Sequence, residues 1–78
     1  MKRRSFQRND VEMRLMIWVE RLSSILNLLA DHPDGIPLGE LSSQCQIPKG
    51  TMHRILQDLA KHQYVRQDPV TGKYALGS

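Results

Sequence analysis

Cysteine is nearly missing from this 78-residue chain, where Cys45 stands alone. A lone thiol excludes an internal disulfide framework, and with no second ligand at suitable spacing it excludes a cysteine-held metal. Cys45 therefore reads as a small core residue. A signal-peptide pattern is also missing, and no apolar run approaches the ~18 residues of a membrane span, so a reducing cytoplasm is the expected setting. Paired carboxylates and Ser/His/Asp or Cys/His groupings cannot be assembled, and His32, His53 and His62 fall on separate segments. The chain is thus expected to have no catalytic residue, no metal and no cofactor, and not to be an enzyme. Its length allows one small domain, burying about 60% of the surface its unfolded form would expose.

Charge is present but unevenly placed. Residues 1–8 hold Lys2, Arg3, Arg4 and Arg8 and no acid; residues 9–45 hold six acids against Arg14 and Arg21. Residues 46–78 return to the basic side, with Lys49, Arg54, Lys61, Arg66 and Lys73 against Asp58 and Asp68. A polyanion would be met by the two ends of the chain and not by its middle. Residues 1–8, with only Phe6 as a large apolar group, read as a basic mobile arm; the domain proper spans 9–78.

Asn9 and Glu12 have capping-box spacing, which predicts a helix start followed by a long helix to about Ala30. Val11, Leu15, Trp18, Leu22, Ile25 and Leu29 recur in steps of four and three, and Val19 and Leu26 widen the stripe. At about 30 Å the helix is longer than the small domain beneath it. Leu22, Ile25, Leu26 and Leu29 can be covered within the chain, whereas Val11, Leu15 and Trp18 are assigned to a second copy. Asp31-His-Pro-Asp-Gly35 ends the helix with turn chemistry, and Ile36 reads as a short strand residue.

A second helix is predicted from Leu38 to about Cys45, with Leu38, Leu41 and Cys45 inward. Gln46-Ile47-Pro48 is a turn, and residues 47–62 carry a third helix preset by Pro48-Lys49. Met52, Ile55, Leu56 and Leu59 share one narrow arc of it, while Gly50, Arg54, Gln57 and Lys61 point the other way. Two short helices about a tight turn make a helix-turn-helix over roughly 38–62. Tyr64–Gln67 and Lys73–Leu76 then read as strands joined by Pro69-Val-Thr-Gly72, a wing over about 64–76. The register sets Val65 opposite Leu76 and Gln67 opposite Tyr74 on an apolar underside. Arg66, with Asp68 opposite Lys73, falls on the other face.

The outward residues of the third helix are cations and hydrogen-bond donors, which suit DNA. Arg54 matches guanine and Gln57 adenine as bidentate partners; Lys49 and Thr51, at the positively polarised helix end, match phosphate. His53 is a flank contact to base or phosphate, and Gly50 lets the backbone come close. Arg66 and Lys73 are assigned to phosphate or minor groove through the wing.

The ordered series Pro-Lys-Gly-Thr-Met-His-Arg-Ile-Leu and Tyr-Val-Arg-Gln-Asp-Pro-Val-Thr-Gly-Lys-Tyr-Ala-Leu-Gly resembles the DNA-binding domain of the IclR family of bacterial transcriptional regulators, over roughly Trp18 to Gly77. The resemblance implies a mainly α winged helix-turn-helix, with three helices and a two-stranded hairpin. It implies a homodimer on a palindromic operator in double-stranded DNA, serving a regulator that is expected to be a repressor. It also implies a small-molecule effector bound by a C-terminal domain that these 78 residues do not include. Pro37 departs from the serine or threonine expected to cap the second helix, and Gly50 from a commoner serine. Gln46 and Gln63 stand where glycine is expected, and if those sites need positive φ each substitution costs about 1 kcal/mol. The alternative for the same elements is a winged helix used as a protein–protein interaction module, which calls for a less basic outward face and a larger exposed apolar patch.

Overall fold

The computed structural model describes residues 8–77, so residues 1–7 of the expected basic arm at 1–8 lie outside the described residues, while Arg8 belongs to the first helix and not to an arm. Three helices come first: α1 (Arg8–Ala30), α2 (Leu38–Cys45) and α3 (Lys49–Lys61). The antiparallel strands β1 (Val65–Gln67) and β2 (Tyr74–Leu76) follow. Their register is Val65 with Leu76, Arg66 with Ala75 and Gln67 with Tyr74, as the turn chemistry predicts.

The start of α1 differs from expectation. Asn9 already lies inside the helix, which begins at Arg8, so Asn9 and Glu12 do not form the expected capping box. Helix α1 ends where Asp31-His-Pro-Asp-Gly predicts. His32 turns back to place its Nδ1 2.8 Å from the carbonyl of Leu28, satisfying one of the acceptors a helix end leaves open. Gly35, at φ 103°, then lets the chain press against the wing: a Cβ there would sit 2.9 Å from that of Lys73. Ile36 follows as the expected strand residue, exchanging two backbone hydrogen bonds of 2.9 Å with Tyr74 on the outer edge of β2.

Helix α2 opens on Pro37, whose extended backbone (φ −70°, ψ 154°) has no side-chain cap to offer. Its carbonyl instead accepts from the amides of Glu40 and Leu41, at 3.1 and 3.0 Å. Gln46 and Gln63, ending the last turns of α2 and α3, both adopt the left-handed conformation, at φ 57° and 67°. The turns that glycine usually makes are therefore made here by a side-chain-bearing residue, at about 1 kcal/mol of strain each.

The core draws on every element: Ile25 and Leu29 of α1, Ile36, Leu41 of α2, Ile47, Met52 and Leu56 of α3, Val65 and Tyr74. Leu28, Leu38, Cys45, Ile55, Leu59 and Ala60 pack half-buried against it, and Leu22 is half-buried on α1. Leu26, expected to be covered, stays 37% exposed, because α1 turns Ile25 and Leu29 to the domain and leaves Leu26 at the edge of that face. The wing's underside is also less uniform than predicted. Val65 and Tyr74 are buried on it, but Leu76 and Gln67 are exposed, and Ala75 is buried on the opposite face. With Ile36 along one edge and helices nearby, the hairpin is covered on parts of both faces rather than across one.

From Asn9 to Arg21 every residue of α1 is exposed. Val11, Met13, Leu15, Met16, Ile17, Trp18 and Val19 are all exposed, and the molecule measures 56 Å along its length against 22 and 20 Å across. The apolar half-helix that the sequence leaves uncovered is uncovered. Even so, among the described residues no helix is long and apolar enough to cross a membrane.

Candidate nucleic-acid interface

Helix α3 owes its orientation to the turn before it. Ile47 is buried as a plug between α2 and α3, and its amide donates to the carbonyl of Ser42 at 3.1 Å. The Ser42 hydroxyl donates in return to the carbonyl of Ile47. Ser42 is itself buried, so both bonds are sheltered from water and the turn is fastened at two points. The sequence reading passed over Ser42; its signal was a small hydroxyl residue beside Leu41, one step off the apolar stripe of α2.

From that base, Met52 and Leu56 are fully buried and Ile55 and Leu59 half-buried, which turns Lys49, Gly50, His53, Arg54, Gln57 and Lys61 outward. Pro48 precedes the helix without a side-chain cap. The first amides of α3 thus keep donors free of side-chain competition at the positively polarised end. Lys49 occupies that end and extends past Gly39 of α2, where a Cβ would lie 3.8 Å from Lys49 Cε. A Cβ on Gly50 would meet nothing within 4 Å, so nothing inside the chain requires glycine there.

His53 and Gln57, one turn apart, are joined by a side-chain contact of 3.3 Å. Arg54 and Thr51 stand on the other flank. With Ile55 and Asp58 they line a cleft of about 320 Å³ whose far wall is Trp18 of α1. Thr51, half-buried, faces this cleft as well as the helix end. Trp18 is held in turn by Arg21, whose guanidinium carbon lies 5.3 Å from the ring centroid.

The wing brings Arg66 and Lys73 to the surface at separate places. Arg66 borders a hollow of about 250 Å³ with Ala60, Gln63, Val65 and Gly77, next to the end of α3. Lys73 packs its Cβ toward Gly35 at the other side of the hairpin. Between them the tip is built by Asp68, which the sequence reading treated only as a cross-strand neighbour. Its Oδ1 accepts from the amides of Val70 and Thr71 at 2.7 and 3.2 Å, and its own amide donates to the carbonyl of Lys73 at 2.8 Å. Those two backbone donors, with Arg66 and Lys73 adding a smaller attraction, hold its carboxyl below the usual carboxylate range. Gln67 ties the loop further by donating to the carbonyl of Gly72, which takes the expected left-handed turn at φ 78°.

The interface therefore consists of one helix face dense in donors and cations, flanked by two wing cations, with no acidic side chain between Lys49 and Gln57. Cys45 lies apart from it, half-buried, and burial pushes its thiol above the ordinary value. It stays protonated and poorly nucleophilic.

A family model described as the IclR helix-turn-helix domain matches residues 19–69. The glycerol operon regulatory protein of Streptomyces griseus is 37% identical over 60 residues, 77% of this chain and 24% of that protein. The DNA-binding transcriptional repressor YiaJ of Escherichia coli is 38% identical over 52 residues, 67% of this chain and 18% of its own length. The crystal structure of HmgR from Pseudomonas aeruginosa superposes with a TM-score of 0.67 at 32% identity, covering 76% of this chain and 24% of that one. The chain spans about a quarter or less of the length of these proteins. By name, one of these relatives regulates an operon and the other represses transcription by binding DNA.

Proposed function

The chain belongs to the IclR helix-turn-helix family, and on that footing we propose that it binds double-stranded DNA as the operator-reading part of a bacterial transcriptional regulator. The observation that carries this reading is the outer face of α3, where Lys49, Gly50, His53, Arg54 and Gln57 are all exposed, opposite the buried Met52 and Leu56. A face of cations and hydrogen-bond donors matches the acceptors of phosphate and of the major groove far better than it matches a protein partner.

The N-terminal half of α3 enters the major groove, as the second helix of such a motif does. Arg54 pairs with guanine there, and Gln57 with adenine, each worth about 1–3 kcal/mol of discrimination. Lys49, Thr51 and the uncapped amides of the first turn bind phosphate, and Gly50 admits the sugar-phosphate backbone without steric conflict. Arg66 and Lys73 hold the duplex from the wing. The regulator acts as a homodimer on a palindromic operator, with Val11, Leu15 and Trp18 of the projecting half of α1 covered by a second copy. That half-helix exposes seven large apolar side chains in the single chain, from Val11 to Val19. Repression is the proposed outcome, as in the relative described as a repressor. A small-molecule effector acts through a further domain of the regulator, in the cytoplasm.

Selection of bound duplexes from a random pool tests the reading. A palindrome with half-sites about one or more helical turns apart is the expected product. Arg54→Ala should then lose discrimination at one base pair per half-site while keeping the others. A parent protein that enriches no sequence would sink the proposal and favour the protein-interaction alternative.

A further inference from the structure

His53 and Gln57 meet on the outer face of α3, with 3.3 Å between Gln57 Nε2 and His53 Nε2. The direction of that hydrogen bond follows from its atoms. With the amide nitrogen of Gln57 turned toward the ring, Gln57 donates and Nε2 of His53 accepts. One of the two amide hydrogens of Gln57 is thereby engaged. What remains is one N–H beside Oε1, a donor and an acceptor together. Adenine shows the complement of that pair in the major groove, at N7 and N6, whereas guanine shows two acceptors. A donor at position 53 would have the opposite effect: Gln57 would turn its oxygen inward and present two N–H groups, which fit guanine and conflict with the N6 hydrogens of adenine.

We propose that His53 is a positioning residue for base readout. By accepting from Gln57 it fixes the polarity of the amide, and so makes Gln57 a reader of adenine in preference to guanine. The inference rests on the DNA-binding reading above and adds to it the base that is read and the residue that decides it. Because the contact exists in the free protein, the amide is oriented before DNA arrives, and binding has less side-chain freedom to remove. His53 need not touch a base to act in this way.

The test exchanges acceptor for donor at position 53. Duplexes selected by the parent protein are changed one base pair at a time, and the ratio of affinities for adenine over guanine is measured at each position. The parent, Gln57→Ala, His53→Glu and His53→Lys are compared, each first checked for an unchanged thermal transition. The parent should show one position per half-site with an adenine preference of about fivefold or more, which Gln57→Ala abolishes. His53→Glu, an acceptor, should keep that ratio while its charge weakens binding to every duplex alike. His53→Lys, a donor, should bring the ratio to about one or below while strengthening binding overall. A purely structural role for His53 would not separate the two charged variants by base. Equal ratios for Glu and Lys would overturn the proposal, as would a parent preference that Gln57→Ala leaves intact. Failure of the parent to select any duplex would instead overturn the DNA-binding reading.

Discussion

Ser42 and Ile47 are bonded to each other twice, the amide of Ile47 to the carbonyl of Ser42 and the hydroxyl of Ser42 to the carbonyl of Ile47. Everything α3 presents is aimed through this closure. Ser42→Ala removes one of the two bonds and leaves a buried carbonyl with less to accept, which should lower stability by about 1–2 kcal/mol. Urea unfolding measures that loss. Operator affinity should fall further than the fraction unfolded accounts for, since the angle between α2 and α3 loosens in the folded protein.

The left-handed glutamines supply a change in the opposite direction. Gln46→Gly and Gln63→Gly each relieve positive-φ strain of about 1 kcal/mol, partly offset by the greater freedom glycine gives the unfolded chain. The net gain should be several tenths of a kcal/mol at each site. Because the two turns are separate, the double variant should show their sum in the urea midpoint. No gain at either site would mean that the glutamine side chains compensate the strain.

Two glycines should respond in contrary ways. At Gly50 an added Cβ meets open space, so Gly50→Ala should leave the fold intact or stabilise α3 by up to about 1 kcal/mol. If DNA lies against this turn, the same methyl should weaken binding. At Gly77 the added Cβ would fall 2.5 Å from the carbonyl oxygen of Gln63. Gly77→Ala should therefore displace the end of β2 and lower the thermal midpoint.

Acid should loosen the wing tip at Asp68. Its carboxyl is held below the usual range by the amides of Val70 and Thr71, so the contribution is complete above the unfolded value of about 3.9. It is lost as pH falls through the lower folded value. In an NMR titration the Val70 and Thr71 amide resonances should move together below about pH 4 and stay constant above it. Movement centred at neutral pH would rule out Asp68 as their anchor.

The projecting half of α1 yields a prediction about assembly. Leu15→Glu places a charge at a position that is 59% exposed in the single chain, so the monomer should fold as before. If a second copy covers this face, sedimentation should show the parent dimerising at concentrations where the variant stays monomeric. An unchanged sedimentation profile would remove Leu15 from the interface.

Periodicity and turn chemistry made most of the fold legible beforehand. The order of elements, the bounds of α2 and the register of the wing all rest on local rules with one favoured solution. The errors arose where tertiary context decides. Leu26 belongs to the apolar stripe of α1, but only the angle of α1 to the domain determines that Ile25 and Leu29 are covered in its place. Leu76, expected on the apolar underside, stays exposed because Ile36 and the helices approach the hairpin unevenly. The bonds of Ser42 and Asp68 to the backbone were not legible because a polar side chain bonded to backbone leaves no periodic signal. For the interface, the wheel of α3 showed which side chains point outward, but not that His53 and Gln57 touch or that Arg54 shares a cleft with Trp18.

The pairing of Ile36 with Tyr74 also bears on how the chain folds. Both helices of the helix-turn-helix, and β1 with its turn, lie between these two residues, so their hydrogen bonds close a long loop. Closing it costs chain entropy before the core repays it, which places this contact late, after α2 and α3 have met through Ile47. Once made, it joins the two ends of the motif. Hydrogen exchange at the amides of Ile36 and Tyr74 should accordingly follow global unfolding, while the free end of α1 exchanges through local fraying.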